Sequence, residues 1–471
     1  MNPNRRQALK SIGAACFAPA LFDDPSEAAV AAVAAPAVEP LPEPQADPRH
    51  TTITRPLDGI IVGGGNRGWL YAQYARTNPE AMRIVGLAEP IPIRREKFRA
   101  ALALDDARVF TTWEHVFERP KFADFVIVTT MDGLHYAPAM RAMEMGYHVL
   151  LEKAIAQSWA QCQDILAQAR KHRRIVGICH VLRYAPYFMK MRDVIRGGEI
   201  GDIVSVQHLE PIGNIHMSHA FVRGNWRNEK ESTPILLSKS CHDLDLFHWM
   251  LARPCRKVSS FGQLTYFTRA HAPAGSAARC TDGCPLEKEC PYSAPRIYVR
   301  DRTWDVGHVI DLQPWDEAKL MAALRRGPYG RCVFQCDNDV ADHQVVNLEF
   351  DGGTTVAFSM EAHTTDMGRR TRVMGTRGDI VGDEQVLTVN DFSARKAVAY
   401  KAADLAAGYA GGGHGGGDRR LVRDFLQAVY QDNPALLSST IEDSMESHRI
   451  GFEAEKSRRG GGAVITLKDP A

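Results

Sequence analysis

The chain has 471 residues, 45% of them apolar, which suits two or three domains with sizeable cores. Its formal net charge of +1 gives no basis for a nucleic-acid partner or an acidic membrane surface. No run of about 18 apolar residues occurs, so no transmembrane helix is expected, and ten scattered cysteines do not make a disulfide-stapled mini-domain.

The N-terminus reads as an address. Asn4-Arg5-Arg6-Gln7-Ala8-Leu9-Lys10 carries a twin arginine, Ser11 to Phe22 is weakly apolar, and alanine-rich sequence follows with Ala-x-Ala sites such as Ala32-Val33-Ala34. Residues 1–34 are therefore expected to be a twin-arginine signal peptide, taking the folded protein through the export machinery to the periplasm. The plainer alternative is a disordered basic start. No leucine stands three residues before Cys16, which argues against a lipid anchor. Pro36, Pro40, Pro42, Pro44, Pro48 and Pro56 make residues 35–56 an extended tether.

Residues 57–180 alternate apolar runs with helix-compatible stretches, the pattern of a parallel sheet. Leu57-Asp58-Gly59-Ile60-Ile61-Val62 ends in Gly63-x-Gly65-x-x-Gly68, with Asn66 and Arg67 between the last two glycines, and a helix pattern (Trp69 to Arg76) follows. The first glycine makes a tight turn, the second lets backbone approach a pyrophosphate, and the third lets helix pack on strand. The glycines alone are a weak signal. Here a second strand, Arg83 to Ala88, ends in Glu89, where a carboxylate can accept the ribose hydroxyls of an adenosine half. That order predicts a nicotinamide dinucleotide domain. Glu89 favours NAD, and the nearby Arg94 and Arg95 leave NADP open.

Phe122 to Val128 reads as a buried strand, followed by the loop Thr129-Thr130-Met131-Asp132-Gly133-Leu134-His135, a helix (Tyr136 to Met145) and strand Tyr147 to Leu151. Glu152-Lys153-Ala154 then stands at a strand's carboxyl end, where open α/β sheets place ligands. A lysine there can hold a substrate hydroxyl, although a surface lysine at a strand end is the commoner case. Gln157 to Lys171 and Arg174 to Cys179 complete the domain.

The glycine loop, Glu89, the Thr129–His135 loop and Glu152-Lys153-Ala154 together resemble the Gfo/Idh/MocA oxidoreductases. The resemblance runs from about Leu57 to near the C-terminus. It implies an N-terminal Rossmann dinucleotide-binding domain (57–180) and a C-terminal α/β domain (181–471) built on an open mixed or antiparallel sheet. It further implies that Thr130, His135, Glu152 and Lys153 face the cofactor, that Lys153 is catalytic, and that the open sheet face makes homo-oligomers. Ala154 stands where the family has proline.

In the second half, Arg183 is a cleft residue or a structural arginine. His216 to Arg227 gathers donors and an aromatic without amphipathic period, a mixture suited to sugar hydroxyls and a sugar C–H face, or else a solvated loop. His219, Arg223 and Trp226 are its candidates for substrate contact. Aligned on the family's helix, Ser238-Lys239-Ser240-Cys241-His242-Asp243-x-Asp245 puts His242 at the acid/base position and Ser238 where the family has aspartate. Lys239 is a further substrate candidate.

Cys280-x3-Cys284-x5-Cys290, with Cys332 and Cys336 about 40 residues on, lies in an expected Cys-rich insertion (268–340). Structural zinc on Cys280, Cys284, Cys290 and Cys336 would order an insertion with little core of its own, and a disulfide is the alternative. Asp337 to Gln344 bunches acids and amides before strands Val345–Phe350 and Thr354–Glu361, with shorter strands through Val389. Gly411 to Asp418 reads as a flexible lid or linker with His414 a cleft residue, and two closing helices follow.

The expected function is NAD(P)-dependent oxidation of a carbohydrate hydroxyl by Lys153 and His242. Outside the cytoplasm no NAD pool recycles a reduced cofactor, so the nucleotide should be tightly held and restored in each cycle. Redox-neutral glycosidase or epimerase chemistry also satisfies that condition. A non-catalytic sugar- or nucleotide-binding relic is the remaining alternative.

Overall fold

The computed structural model describes residues 47–307, 309–311, 315–365, 367–407 and 414–468, with the backbone of Ala37 and Val38. The twin-arginine segment and Gly411–Gly413 lie outside the described residues.

The first sheet is built from apolar runs buried on both faces. Its strands are β1 (Leu57–Val62), β2 (Met82–Ala88), β3 (Val109–Phe110), β4 (Phe125–Val128), β5 (His148–Leu151) and β6 (Val176–Ile178), all parallel, in the order β3-β2-β1-β4-β5-β6. Every residue of β4 is buried, as a strand covered by helices on both sides requires. The connecting helices include α1 (Asn66–Thr77), α2 (Pro92–Leu102), α3 (Tyr136–Glu144) and α4 (Trp159–His172). Strand order reverses between β1 and β4, so a crevice opens beyond their carboxyl ends.

Beyond β6 the chain passes through α5 (Pro186–Arg196) into a second sheet. Its strands are β7 (Ile203–Pro211), β8 (Cys255–Gln263), β9 (His343–Phe350), β10 (Thr355–Glu361), β11 (Arg370–Gly375), β12 (Gly378–Gly382), β13 (Val386–Asp391) and β14 (Lys396–Lys401). The order is β14-β13-β12-β11-β7-β10-β9-β8, with two-residue strands Ala37–Val38 and Ile465–Thr466 at the edges. The sheet is mixed: β7 and β10 run parallel, and the other long-strand pairs are antiparallel. Burial alternates along β9 and β10, one face on the core and the other outward. The inner face carries α6 (Cys241–Leu251) and α8 (Ile441–Arg459). The fold class is as expected, although β8 and β14 carry no periodic signal strong enough to have been singled out.

Both sheets belong to one compact unit, residues 37–471. The helix α7 (Gly417–Tyr430) returns to the first sheet: Phe425 packs edge-to-face on Phe125, ring centroids 5.4 Å apart. Leu421, Val422, Phe425 and Leu426 share one buried cluster with Leu57 and Phe125. The long connection between β8 and β9 differs from expectation. It has a core of its own, in which Ile297, Tyr298, Leu320, Leu324 and Tyr329 are buried together.

Because Phe425 completes the first sheet's core, Phe425→Ala should lower the unfolding free energy by about 3–5 kcal/mol. Urea denaturation followed by tryptophan fluorescence checks this; an unchanged midpoint would mean that α7 is not part of that core.

Candidate active site

The glycine loop has the backbone of a phosphate cradle. Gly63 has φ +105°, and a Cβ there would stand 2.7 Å from the Thr129 carbonyl oxygen; a Cβ on Gly68 would stand 2.2 Å from that of Gly63. Gly65 is the N-cap of α1, Asn66 its exposed first residue, and the helix has neither a capping side chain nor an acid in its first turn. Its leading amides are thus left for an anion. Glu89 is buried and accepts from the Gly64 amide (2.5 Å) and the Ile91 amide (2.8 Å), which hooks the acid onto the loop. The Thr130 hydroxyl is buried with no hydrogen-bond partner among the described residues. These features fit a dinucleotide. Arg94 is taken by Asp311 (2.7 Å), and Arg95 by the carbonyls of Glu89 and Pro90 (2.7 and 2.6 Å).

Beside the cradle lies a cavity of about 290 Å³ that holds Lys153, His242, Trp226, Lys239 and His414 together. Lys153 follows β5, and its Nζ donates to the Ser238 carbonyl at 2.5 Å. The Lys153–Ala154 peptide is cis. His242 lies in the first turn of α6, 6% exposed, with no partner for Nδ1 among the described residues. Burial, then the Lys153 charge, holds His242 well below its ordinary value near 6.5, so it is neutral at pH 7.

Two further imidazoles flank His242, and a third stands against one of them. His180 and His414 stand 5.9 and 6.1 Å from it by ring centroid, and His448 stands 5.7 Å from His180. Burial brings His180 down to about 4 and His448 to about 3. His448 Nε2 accepts the Ile155 amide (2.9 Å), just beyond Lys153. His414 Nδ1 meets the fully buried Asp418 carboxylate at 2.9 Å. Burial alone would raise Asp418, but the His414 hydrogen bond and the Arg67 charge bring it to about 2.

Several expected contacts are corrected. The Arg67 guanidinium is committed to Glu152 (2.5 Å) and Asp418 (2.7 Å), and it lines the cavity as part of the protein's own ion network. Glu152 lines the same cavity, while its carboxylate accepts from Arg67 and Tyr71. His135 is fully buried between the carbonyls of Ala154 (2.7 Å) and Thr130 (3.1 Å), so it positions both loops without reaching the cavity. Arg183 is structural: its fork grips Asp245 (2.7 and 2.6 Å) and the Ser438 carbonyl.

The segment Met217–Arg223 is a π-helix, a wider turn that rotates its side chains out of the register a loop reading gives. His219 therefore stacks on Tyr329 (4.8 Å), and Arg223 is wholly buried against the Arg331 and Tyr292 carbonyls. His216 and Phe221 face the cavity instead. Trp226 does line it, with its indole N–H on Asp132 (3.1 Å), and Lys239 lines it while paired with Glu210 (3.3 Å). Arg369, in contact with Glu210 and Asp243, also reaches it. Arg369 and Asp132 were not singled out from sequence, since nothing local marks either.

The thiols also regroup. Cys280, Cys284, Cys290 and Cys332 line one separate cavity, whereas the Cys336 thiol turns to the Cys332 carbonyl (3.3 Å). Among the described residues no three His, Cys, Asp or Glu side chains stand at a spacing that holds a metal ion. None of the described helices is long and apolar enough to cross a membrane.

Residues 58–180 match the Gfo/Idh/MocA oxidoreductase family's NAD-binding Rossmann fold, and residues 192–467 match its C-terminal α/β domain. YteT of Bacillus subtilis is 25% identical over 320 residues, 64% of this chain and 72% of YteT. Inositol 2-dehydrogenase 1 of Saccharopolyspora erythraea is 29% identical over 162 residues, 34% of this chain and 42% of that enzyme. Among solved structures, an inositol dehydrogenase homolog from Azotobacter vinelandii, complexed with NADH and myo-inositol, superposes with a TM-score of 0.63 at 19% identity, over 89% of this chain and 100% of that one.

Two outcomes test the geometry. Gly68→Ala should weaken NAD binding at least tenfold, measured by calorimetry; unchanged affinity would mean that the loop tolerates a Cβ where the backbone leaves no room. The buried histidines should also make stability pH-dependent. His180 near 4 and His448 near 3 lie below 6.5, so between pH 6.5 and those values the unfolded chain binds protons that the folded chain refuses. Stability should be fully present above pH 6.5 and fall as pH drops through that window, by about 1 °C of Tm for each kcal/mol lost. A Tm unchanged from pH 7 to pH 5 would contradict neutral burial.

Proposed function

The chain belongs to the Gfo/Idh/MocA oxidoreductase family, and from that premise we propose that it oxidises and reduces a carbinol of a sugar or sugar alcohol. The observation that carries the proposal is the meeting of Lys153 and His242 in one cavity beside the glycine loop. NAD supplies the hydride acceptor when bound. Lys153, steadied by the Ser238 carbonyl, hydrogen-bonds the substrate hydroxyl oxygen. His242, neutral at pH 7, takes the hydroxyl proton. Trp226 offers a flat wall for a sugar C–H face, and Lys239 and Arg369 offer donors for its hydroxyls. NAD is favoured over NADP because Arg94 and Arg95, the cations nearest Glu89, are both engaged within the protein.

Residues 1–34 carry the protein out of the cytoplasm on this reading, so the nucleotide is retained and restored within each cycle. Two observations favour a redox-neutral variant, in which transient oxidation acidifies a neighbouring C–H and permits elimination or epimerisation. The motif alignment on His242 sets Ser238 where the family has a carboxylate, and His414, hydrogen-bonded to the buried Asp418, lines the same cavity as a further acid–base group.

Protein purified from an export-blocked strain should release stoichiometric NAD(H) on denaturation. In native protein, a panel of sugars and cyclitols should include one that produces nicotinamide absorbance at 340 nm. Lys153→Ala and His242→Ala should each lower turnover by about 10²–10⁴-fold while the nucleotide stays bound. Nucleotide that washes away would overturn cofactor retention, and nucleotide that no sugar reduces would leave the binding relic as the better reading.

A further inference from the structure

The insertion between β8 and β9 reaches the nucleotide cradle as well as the substrate cavity. Trp304 stacks on His216, in the cavity wall, with ring centroids 4.9 Å apart. A few residues on, Asp311 accepts from Arg94 Nε at 2.7 Å, and the Val309 carbonyl accepts from Arg94 Nη2 at 3.3 Å. The turn that presents Asp311 is fastened to the insertion's own core. Val306 is buried there, its carbonyl accepts from the Val309 and Ile310 amides (3.1 and 3.2 Å), and the side chains of Val309 and Ile310 pack on the same cluster. Asp311 is therefore held out toward the first domain by an anchored segment.

The place where it lands matters more than the strength of the pair. Arg94 lies in the first turn of α2, and its Nη1 is the atom that a Cβ on Gly65 would meet, at 4.0 Å. A Cβ on the neighbouring Gly64 would stand 3.0 Å from the Glu89 side chain. Glu89, Arg94 and Asp311 thus follow one another along the rim of the glycine loop as carboxylate, guanidinium and carboxylate. In dinucleotide folds an acid at the place of Glu89 accepts the 2′-hydroxyl of the adenosine ribose, and a nearby arginine is what accommodates a 2′-phosphate. Here that arginine is engaged by the insertion. A 2′-phosphate would meet two carboxylates and a cation already paired, whereas a ribose hydroxyl has a proton to donate. An ion pair whose side chains are 20% and 21% exposed adds little to stability, so its consequence is for what binds beside it.

We propose that Asp311 is a latch on the nucleotide site: paired with Arg94, it closes the insertion over the rim of the glycine loop, retains NAD and denies Arg94 to the 2′-phosphate of NADP. The proposal rests on the nucleotide reading above and adds to it the residue that sets cofactor choice and residence time. Asp311 acts through Arg94, which it holds and neutralises. Nucleotide leaves only when that pair parts, so the latch is expressed in the dissociation rate.

The test uses the full-length protein, expressed without export, loaded with NADH and mixed with excess NAD, so that loss of nicotinamide fluorescence reports release. Asp311→Ala and Arg94→Ala should each speed NADH release by about tenfold. Calorimetry with NADP then separates them. Affinity for NADP should rise about tenfold in Asp311→Ala and in Asp311→Asn, which removes the charge and keeps the shape, and should not rise in Arg94→Ala. NADH release at the wild-type rate in Asp311→Ala and Arg94→Ala, NADP affinity unchanged in both Asp311 variants, or an equal gain in Arg94→Ala would each overturn the latch. Wild type that binds neither NADH nor NADP would overturn the nucleotide reading itself, a result distinct from wild type that holds NADH while the variants behave like it.

Discussion

The cleft depends on one guanidinium. Arg67 leaves the first turn of α1 and is shared between Glu152, at the end of β5, and Asp418, in the first turn of α7. It therefore ties together three segments far apart in sequence at one point. A buried carboxylate is tolerated only when a cation and hydrogen bonds compensate it, and here one cation serves two. Glu152 is held at the cavity wall, next to Lys153. Asp418 is held where its second oxygen can orient His414. Without Arg67, Glu152 would keep the Tyr71 hydroxyl and the Lys153 charge, and Asp418 would keep His414.

A second constraint comes from the π-helix of residues 217–223. Its wide turn divides one polar segment between two tasks. His216 and Phe221 wall the cavity, while His219 and Arg223 anchor the insertion through stacking and through carbonyl acceptors. Trp304, from the insertion, stacks on His216 at 4.9 Å and carries the contact back to the cleft. The insertion is therefore part of the wall of the site, and its own buried cluster gives it the rigidity to serve as one.

What was legible in the sequence follows from how local each signal is. The parallel sheet, the glycine loop, Glu89 and Lys153 were readable because period, turn chemistry and strand-end position are set within a few residues. His242 was readable only through its place in a family motif. Burial was not readable. Arg183, Arg223 and His219 are polar residues in unpatterned sequence, and what decides their role is a distant carboxylate, a set of distant carbonyls or a distant ring. Cys332 rather than Cys336 joins the other thiols because a ladder between residues 279 and 331 puts it there, and no spacing rule contains that ladder. Arg369 reaches the cavity from β11's leading edge, through a sheet order that the chain order hides.

Ser238 meets Lys153 through its backbone carbonyl, and its side chain brings no charge to the cavity. A carboxylate at that position would steady Lys153 but would also add a negative charge near His242, and a nearby negative charge raises an imidazole's proton affinity. A backbone carbonyl steadies the ammonium without that charge, so burial and Lys153 together keep His242 neutral. A strongly depressed imidazole is always in its accepting form at pH 7, yet it is a weak base, and general-base catalysis is most effective when the catalytic group's affinity matches the working pH. On the proposed mechanism, proton removal then leans more heavily on Lys153 holding the developing alkoxide than on His242 attracting the proton. His414 stands 6.1 Å from His242 by ring centroid, more exposed than it, with a buried carboxylate at its Nδ1. That arrangement separates two functions that a single carboxylate would merge. One imidazole is kept dry and neutral against Lys153, and a second is solvent-accessible and oriented by Asp418. A site with two such groups can move protons at two substrate positions in one residence, as elimination or epimerisation requires and simple dehydrogenation does not.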